Sequence, residues 1–169
     1  MNCRAGRIWQ GENSNMKSIF LVLFISQIAS AQEDSNKSWC AKAEKVLFAC
    51  KHKEKLISLC ASNDLNSKDG YLQYRAGKNS KIELEFPKTK KHPSKLFFFS
   101  LMPRGGLLSF KNEEFSYALS SDLSDKSYID IKNGDKEISS FECVDTIDNV
   151  NLTMTPIQNL LRDAGLEKN

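Results

Sequence analysis

The sequence predicts an all-β domain, an antiparallel sandwich or barrel of about nine short strands, stapled by disulfides and closed by a short C-terminal helix. Three observations predict it. Short runs of alternating apolar and polar residues recur along the chain, clusters of Gly, Pro, Asn, Asp and Ser separate them, and four cysteines follow a leader of the kind that directs export.

The leader comes first in the chain. Lys17, the apolar run Ile19–Ile25 and the small residues Ala29-Ser30-Ala31 have the charged start, short apolar stretch and cleavage site of a secretory signal peptide, with cleavage after Ala31. The apolar run is shorter than the roughly 20 residues that span a bilayer. Residues 1–15 are polar and precede Met16, so they read as an upstream extension with Met16 as the start. This divides the 169 residues into 1–15 (extension), 16–31 (signal peptide) and 32–169 (one β domain).

The domain's first three strands are Val46–Lys51, Leu56–Ala61 and Tyr71–Arg75, and Trp39–Lys45 before them reads as a helical turn. His52-Lys-Glu-Lys55 turns the first hairpin, and the polar stretch Ala61–Asp69 is a loop. Gly77-Lys-Asn-Ser80 turns the next hairpin. Lys81–Phe86 alternates, with Ile82, Leu84 and Phe86 inward, and Pro87 ends it. Leu96–Met102 is apolar on both faces, so it is either a central strand covered on both sides or a strand that continues into an exposed patch. Pro103-Arg-Gly-Gly106 is a turn, Leu107–Phe110 and Phe115–Leu119 are strands, and Tyr128–Lys132 follows. Asn133-Gly134 marks a tight hairpin. The returning Glu137–Cys143 changes phase between Ile138 and Phe141, which predicts a bulge near Ser139 and Ser140. Thr155 as N-cap, Pro156, the apolar face Ile157, Leu160, Leu161 and Ala164, and Gly165 past the end specify the helix.

Cys3 lies ahead of the cleavage site, leaving Cys40, Cys50, Cys60 and Cys143 for two disulfides. Export favours their oxidation, and they lack the close pairs of a zinc site. Four cysteines allow three pairings. Cys50 with Cys60 across the first hairpin and Cys40 with Cys143 is the preferred one. A register that sets Leu56 opposite Lys51 would put Leu47, not Cys50, across from Cys60 and argue against it.

Charge narrows the function classes. Residues 32–169 hold 21 basic and 20 acidic residues, a net of +1, so the +3 of the whole chain belongs largely to the leader and nucleic-acid binding has no electrostatic argument. The distribution is uneven: net +8 over residues 32–111 (16 basic, 8 acidic) and net −7 over 112–169 (5 basic, 12 acidic). Either the two halves neutralise each other on folding or they form separate faces, the basic one suited to an anionic partner.

No catalytic constellation, metal site or cofactor site emerges. The two histidines, His52 and His92, fall in a turn and a loop, no serine sits in a nucleophile elbow, and Arg104-Gly-Gly106 lacks the strand–loop–helix context of a phosphate cradle. Glu83 and Glu85 share a strand face as alternating solvated charges. The binding candidates are two surface features. Tyr71, Gln73 and Arg75 form an amphipathic stripe suited to a protein or glycan, unless a further layer covers that side of the sheet. Lys88, Lys90, Lys91, His92 and Lys95 form a basic loop that is either solvated or meets an anionic envelope surface.

Phe48-Ala-Cys50, Leu59-Cys-Ala61, Gly70–Arg75, Phe141-Glu-Cys143 and the proline-ended Ile82–Pro87 resemble a group of small uncharacterised exported bacterial proteins over most of residues 32–169. The resemblance implies a β-rich periplasmic or secreted protein and carries no activity with it. The size, leader and cysteines are also similar to those of the periplasmic lysozyme inhibitors, which are small β-barrels. Their serine- and tyrosine-containing inhibitory loop is not matched here, so that likeness stays at the level of fold. The expected function is therefore a monomeric, exported, non-catalytic binding or inhibitor-like module. Envelope association through the basic loop is the alternative, and a cell-wall hydrolase is a third reading with no residues to support it.

Overall fold

The computed structural model describes residues 37–146 and 150–167, so the upstream extension and signal peptide expected over 1–31 lie outside the described residues. The described chain forms two antiparallel sheets and one short helix. The first sheet has the order β10-β1-β2-β3-β4, with β1 Glu44–His52, β2 Lys55–Ser62, β3 Leu72–Lys78, β4 Lys81–Phe86 and the two-residue β10 Asp145–Thr146. The second has the order β5-β6-β7-β8-β9, with β5 Phe97–Met102, β6 Gly105–Asn112, β7 Phe115–Asp122, β8 Ser127–Asn133 and β9 Lys136–Glu142. The nine expected strands are all present, and β10 adds a short return to the first sheet.

The sheets face each other across one apolar core. Ile57, Leu59, Leu72 and Tyr74 from the first sheet meet Phe97, Phe99, Leu108, Phe110, Leu119 and Ile129 from the second. Alternation along each strand sends these side chains inward, which is why a period of two in the sequence becomes a layer of core. Rings knit the sheets together: Phe110 stacks on Phe86 and on Tyr117, each at 4.7 Å between centroids, and packs on Tyr74 at 4.9 Å. Burial, with Tyr117 as a lesser influence, pushes the Tyr74 phenol pKa above its ordinary value.

The disulfides join Cys40 to Cys60 and Cys50 to Cys143. This corrects the expected pairing, and register is the reason. Lys51 does stand opposite Leu56, and a shift between Val46 and Phe48 then sets Val46, rather than Cys50, opposite Cys60. Cys50 points inward with Phe48 and reaches Cys143, just past β9, so this bond ties one sheet to the other. Cys60 points outward and holds the segment before β1 against the outer side of the first sheet.

Four local expectations are corrected. No helical turn forms over Trp39–Lys45, which enters β1 through a bend and a turn. Ile82 is exposed rather than inward, because a register shift that skips Glu83 sets Ile82 opposite Gly77. β5 follows the second of its two expected readings, an edge strand with Phe97 and Phe99 buried and Phe98, Leu101 and Met102 forming an exposed patch. The bulge in β9 falls at Ile138, because Ile131 pairs with Ser139 and Lys132 with Glu137. Finally, Met154 rather than Thr155 is the N-cap of α1, Thr155–Asp163.

The helix ends as its sequence signals. Gly165 adopts φ +71°, and the amides of Gly165 and Leu166 donate to the carbonyls of Arg162 (2.8 Å) and Leu161 (3.1 Å), a Schellman closure. Ile157, Leu161, Ala164 and Leu166 join the core. The Phe99 amide then donates to Leu166 O at 2.7 Å, so the chain end covers part of the β5 edge. Gly106 lets residue 152 cross closely, since a Cβ there would lie 2.6 Å from Leu152 O.

Mass mapping of the oxidised protein should recover Cys40–Cys60 and Cys50–Cys143. By loop closure, the 93-residue separation of Cys50 and Cys143 constrains the unfolded chain more than the 20-residue separation of Cys40 and Cys60. Removing the first pair by Cys50→Ser/Cys143→Ser should cost about 4 to 5 kcal/mol in chemical denaturation, against about 3 kcal/mol for Cys40→Ser/Cys60→Ser.

Candidate functional site

The residues singled out for binding converge on the outer face of the first sheet, and the face is covered. Ser58, Cys60, Gln73, Arg75 and Glu85 point outward from β2, β3 and β4, with Ser58 opposite Arg75, Cys60 opposite Gln73 and Arg75 opposite Glu85. The bond to Cys40 draws the segment 38–44 over them. Trp39 fixes this strap with two contacts, its backbone amide donating to Ser58 Oγ at 2.9 Å and its indole Nε1 to Leu56 O at 2.7 Å.

Arg75 lies under the strap, and all five of its N–H donors are used. Nε donates to Glu85 Oε1 (2.9 Å), Nη1 to Glu44 Oε2 (2.6 Å) and Trp39 O (3.0 Å), and Nη2 to Glu44 Oε1 (2.9 Å) and Gln73 Oε1 (2.6 Å). The planar guanidinium suits this arrangement because two parallel donors meet one carboxylate while the remaining three reach sideways. Gln73 completes the set by donating Nε2 to Pro87 O at 2.8 Å. Gln73 is 1 % exposed and Arg75 5 % exposed, so neither offers a binding surface.

Glu44 is the counterpart. It accepts from Arg75, from the Ala41 amide at 2.7 Å and from the Tyr71 hydroxyl at 2.8 Å. Burial disfavours the carboxylate, but these hydrogen bonds outweigh burial and hold the Glu44 pKa down at about 2. Lys90 closes the outer side, with Nζ 2.9 Å from the Tyr71 hydroxyl and 4.5 Å above its ring. Of the expected stripe, only Tyr71 retains some exposure, and its hydroxyl is shared between Glu44 and Lys90.

The basic loop is placed differently. Lys88, Lys90, Lys91 and Lys95 are all exposed, with Lys90 turned back onto Tyr71. His92 ties the loop down: Nε2 lies 2.8 Å from Asn66 O and Nδ1 2.9 Å from Ser94 Oγ. With Nδ1 also 3.4 Å from the Ser94 amide, this serine–histidine contact is a loop clasp between residues two apart. The other histidine, His52, packs on Phe141 at 4.4 Å, its Nδ1 3.1 Å from Glu142 O.

The one cluster of three potential metal ligands among the described residues is Cys40, Glu44 and Cys60. Its two sulfurs are bonded to each other and its carboxylate is saturated by N–H and O–H donors, so its chemistry is that of a structural clamp. Comparison of the chain with models of known protein families, with curated proteins and with solved structures found no match.

Sequence reasoning found Tyr71, Gln73 and Arg75 as one face but missed Trp39, Glu44 and Glu85 as their partners. The available signal was Cys60, which shares that face; a cysteine bonded to Cys40 necessarily brings the intervening strap with it.

Removing the Glu44 charge should leave Arg75 buried with only the half-buried Glu85 as its anionic partner. Glu44→Gln is expected to destabilise the protein by about 3 kcal/mol at neutral pH in urea denaturation. Because the folded-state pKa is depressed, the wild-type contribution is present above pH 4.5 and is lost as pH falls towards 2. The stability difference between Glu44→Gln and wild type should therefore shrink across that window.

Proposed function

We propose that the protein is an exported, non-catalytic binding module of the periplasm or extracellular space, and that it meets an anionic envelope surface through the lysines of the first-sheet layer. The observation that carries this reading is the fate of the charges. Every lysine from Lys42 to Lys95 is exposed, while the Glu44 side chain is buried against Arg75 and Glu85 is half-buried beside it. Folding thus buries Glu44 together with Arg75 and leaves twelve exposed lysines against four exposed acidic residues, Glu54, Asp64, Asp69 and Glu83.

Among the described residues the close ion pairs stay within each half of the chain, although Arg104 acts on Asp122 from one half to the other. Arg75 with Glu44 and Glu85, and Lys90 with Glu44, lie within residues 32–111; Lys126 with Glu142, and Arg162 with Glu167, lie within 112–169. Among the described residues no ion pair joins the two stretches. Two disulfides are in keeping with an oxidising compartment, and no helix of the described residues is long and apolar enough to cross a membrane.

The partner class follows from the physics of a dispersed lysine field. Juxtamembrane lysines gain about 1 kcal/mol each near an anionic leaflet, and the attraction decays over a Debye length of about 10 Å at 0.1 M salt. Lys88 and Lys91 are suited to this because neither takes part in the Glu44 cluster.

Sedimentation with phosphatidylglycerol-containing vesicles tests the reading. The wild type should bind at low salt and be released at high salt, and Lys88→Glu/Lys91→Glu should bind at least tenfold more weakly with unchanged thermal stability. Equal binding by wild type and variant, or binding that survives high salt, would count against it.

A further inference from the structure

At one end of the sandwich the two sheets part, and the opening combines two features that no contact within the fold requires. The first is a row of cations. His52 pairs with Lys55 across β1 and β2, Lys78 pairs with Lys81 across β3 and β4, and Leu56 opposite Gly77 sets Lys55 beside Lys78. Like charges placed directly opposite each other destabilise a sheet. Among the described residues none of Lys53, Lys55, Lys78 and Lys81 forms an ion pair. The acidic groups lining the opening are Glu54 and Glu83, against Lys53, Lys55 and Lys78, so the lysines are in excess by one.

The second feature is an apolar pocket of about 240 Å³ behind that row, reaching between the sheets. Ile57, Tyr74 and Leu84 line one wall, and Tyr117, Ile131 and Phe141 the other. Lys55, Ser139 and Phe141 line both this pocket and a wider polar cleft of about 620 Å³, which also takes in His52, Lys53 and Lys78. The two spaces adjoin at these residues, the inner one mainly apolar and the outer one polar and lined by lysines. The bulge at Ile138 keeps Ser139 facing inward opposite Ile131 and leaves Ile138 exposed at the same opening.

We propose that this opening binds an anionic amphiphile, its apolar tail between the sheets and its carboxylate, sulfate or phosphate head against Lys55 and Lys78. Charge complementarity selects the sign of the head, and an apolar lining with a few polar groups at one end is the ordinary build of a small-molecule pocket. A bound anion would relieve the repulsion along the lysine row, which neither a neutral nor a cationic head would do. The site lies apart from Lys88 and Lys91 and is independent of the vesicle-binding reading.

Titration calorimetry of the intact oxidised protein with laurate, with dodecyl maltoside and with tripolyphosphate tests the assignment. Saturable one-to-one binding of laurate is expected, with binding of the neutral-headed dodecyl maltoside and of the tailless tripolyphosphate weaker by on the order of tenfold or more. Lys55→Gln/Lys78→Gln should weaken laurate binding by a similar factor, Ala76→Leu should weaken it by filling the pocket, and Lys88→Glu/Lys91→Glu should leave it unchanged. Equal affinity for laurate and dodecyl maltoside, or laurate binding untouched by Lys55→Gln/Lys78→Gln, would overturn the proposal. Equal loss in both lysine pairs would also overturn it, by reducing the effect to net charge. Anionic vesicles that compete with laurate would identify a membrane lipid as the source of the head group, and laurate binding without competition would identify a free amphiphile.

Discussion

The guanidinium of Arg75 is the constraint around which the first sheet is arranged. A buried cation is tolerable only when each donor has an acceptor, and here acceptors come from β1, β3, β4 and the strap, with Glu44 contributing two oxygens. Satisfying it requires the strap to lie across β2 and β3, which requires Cys60 to face outward and bond to Cys40. The β2–β3 register that sets Ser58 opposite Arg75 follows from the same requirement. One charged side chain thus converts an exposed sheet face into a second, polar interior beside the apolar one between the sheets.

This two-sided burial gives the layers different jobs. The inner face holds the sandwich together through apolar area and stacked rings, a non-directional term that tolerates small shifts. The outer face holds the strap through directional hydrogen bonds, which fix position but add little net stability per bond. The first-sheet layer pairs Glu44 and the half-buried Glu85 with Arg75, and its surface keeps the lysine excess of its sequence. That lysine excess, rather than any cluster of reactive groups, underlies the proposed function.

Much of this fold was legible in the sequence because alternation with period two survives in strands such as β7 and β8, and because Asn133-Gly134 and Pro156 with Gly165 mark their turn and helix directly. What was not legible depended on contacts distant along the chain. Gln73 and Arg75 looked like surface residues because polar alternation reads the same whether water or a strap lies outside. The disulfide pairing turned on the register that sets Lys51 opposite Leu56 and Cys50 opposite Ile57, which sends Cys50 and Cys60 to opposite faces of the sheet. The two readings of β5 stayed open because apolar character on both faces does not reveal that it is an edge strand bordered in part by residues 166 and 167. The opening proposed for an amphiphile had no signature at all, since its lysines flank two separate hairpin turns and only the register aligns them.

The separations of the two disulfides impose an order on oxidation during synthesis. As the chain emerges from its N-terminus, Cys40, Cys50 and Cys60 become available together, and their native partner assignment leaves Cys50 waiting for a thiol that arrives 93 residues later. Throughout that interval Cys50 is a nucleophile beside a completed bond and can attack it, so faithful maturation depends on β1 and β2 pairing early enough to turn Cys50 away from Cys60. The hairpin that precedes everything else in the domain therefore also guards its covalent fidelity.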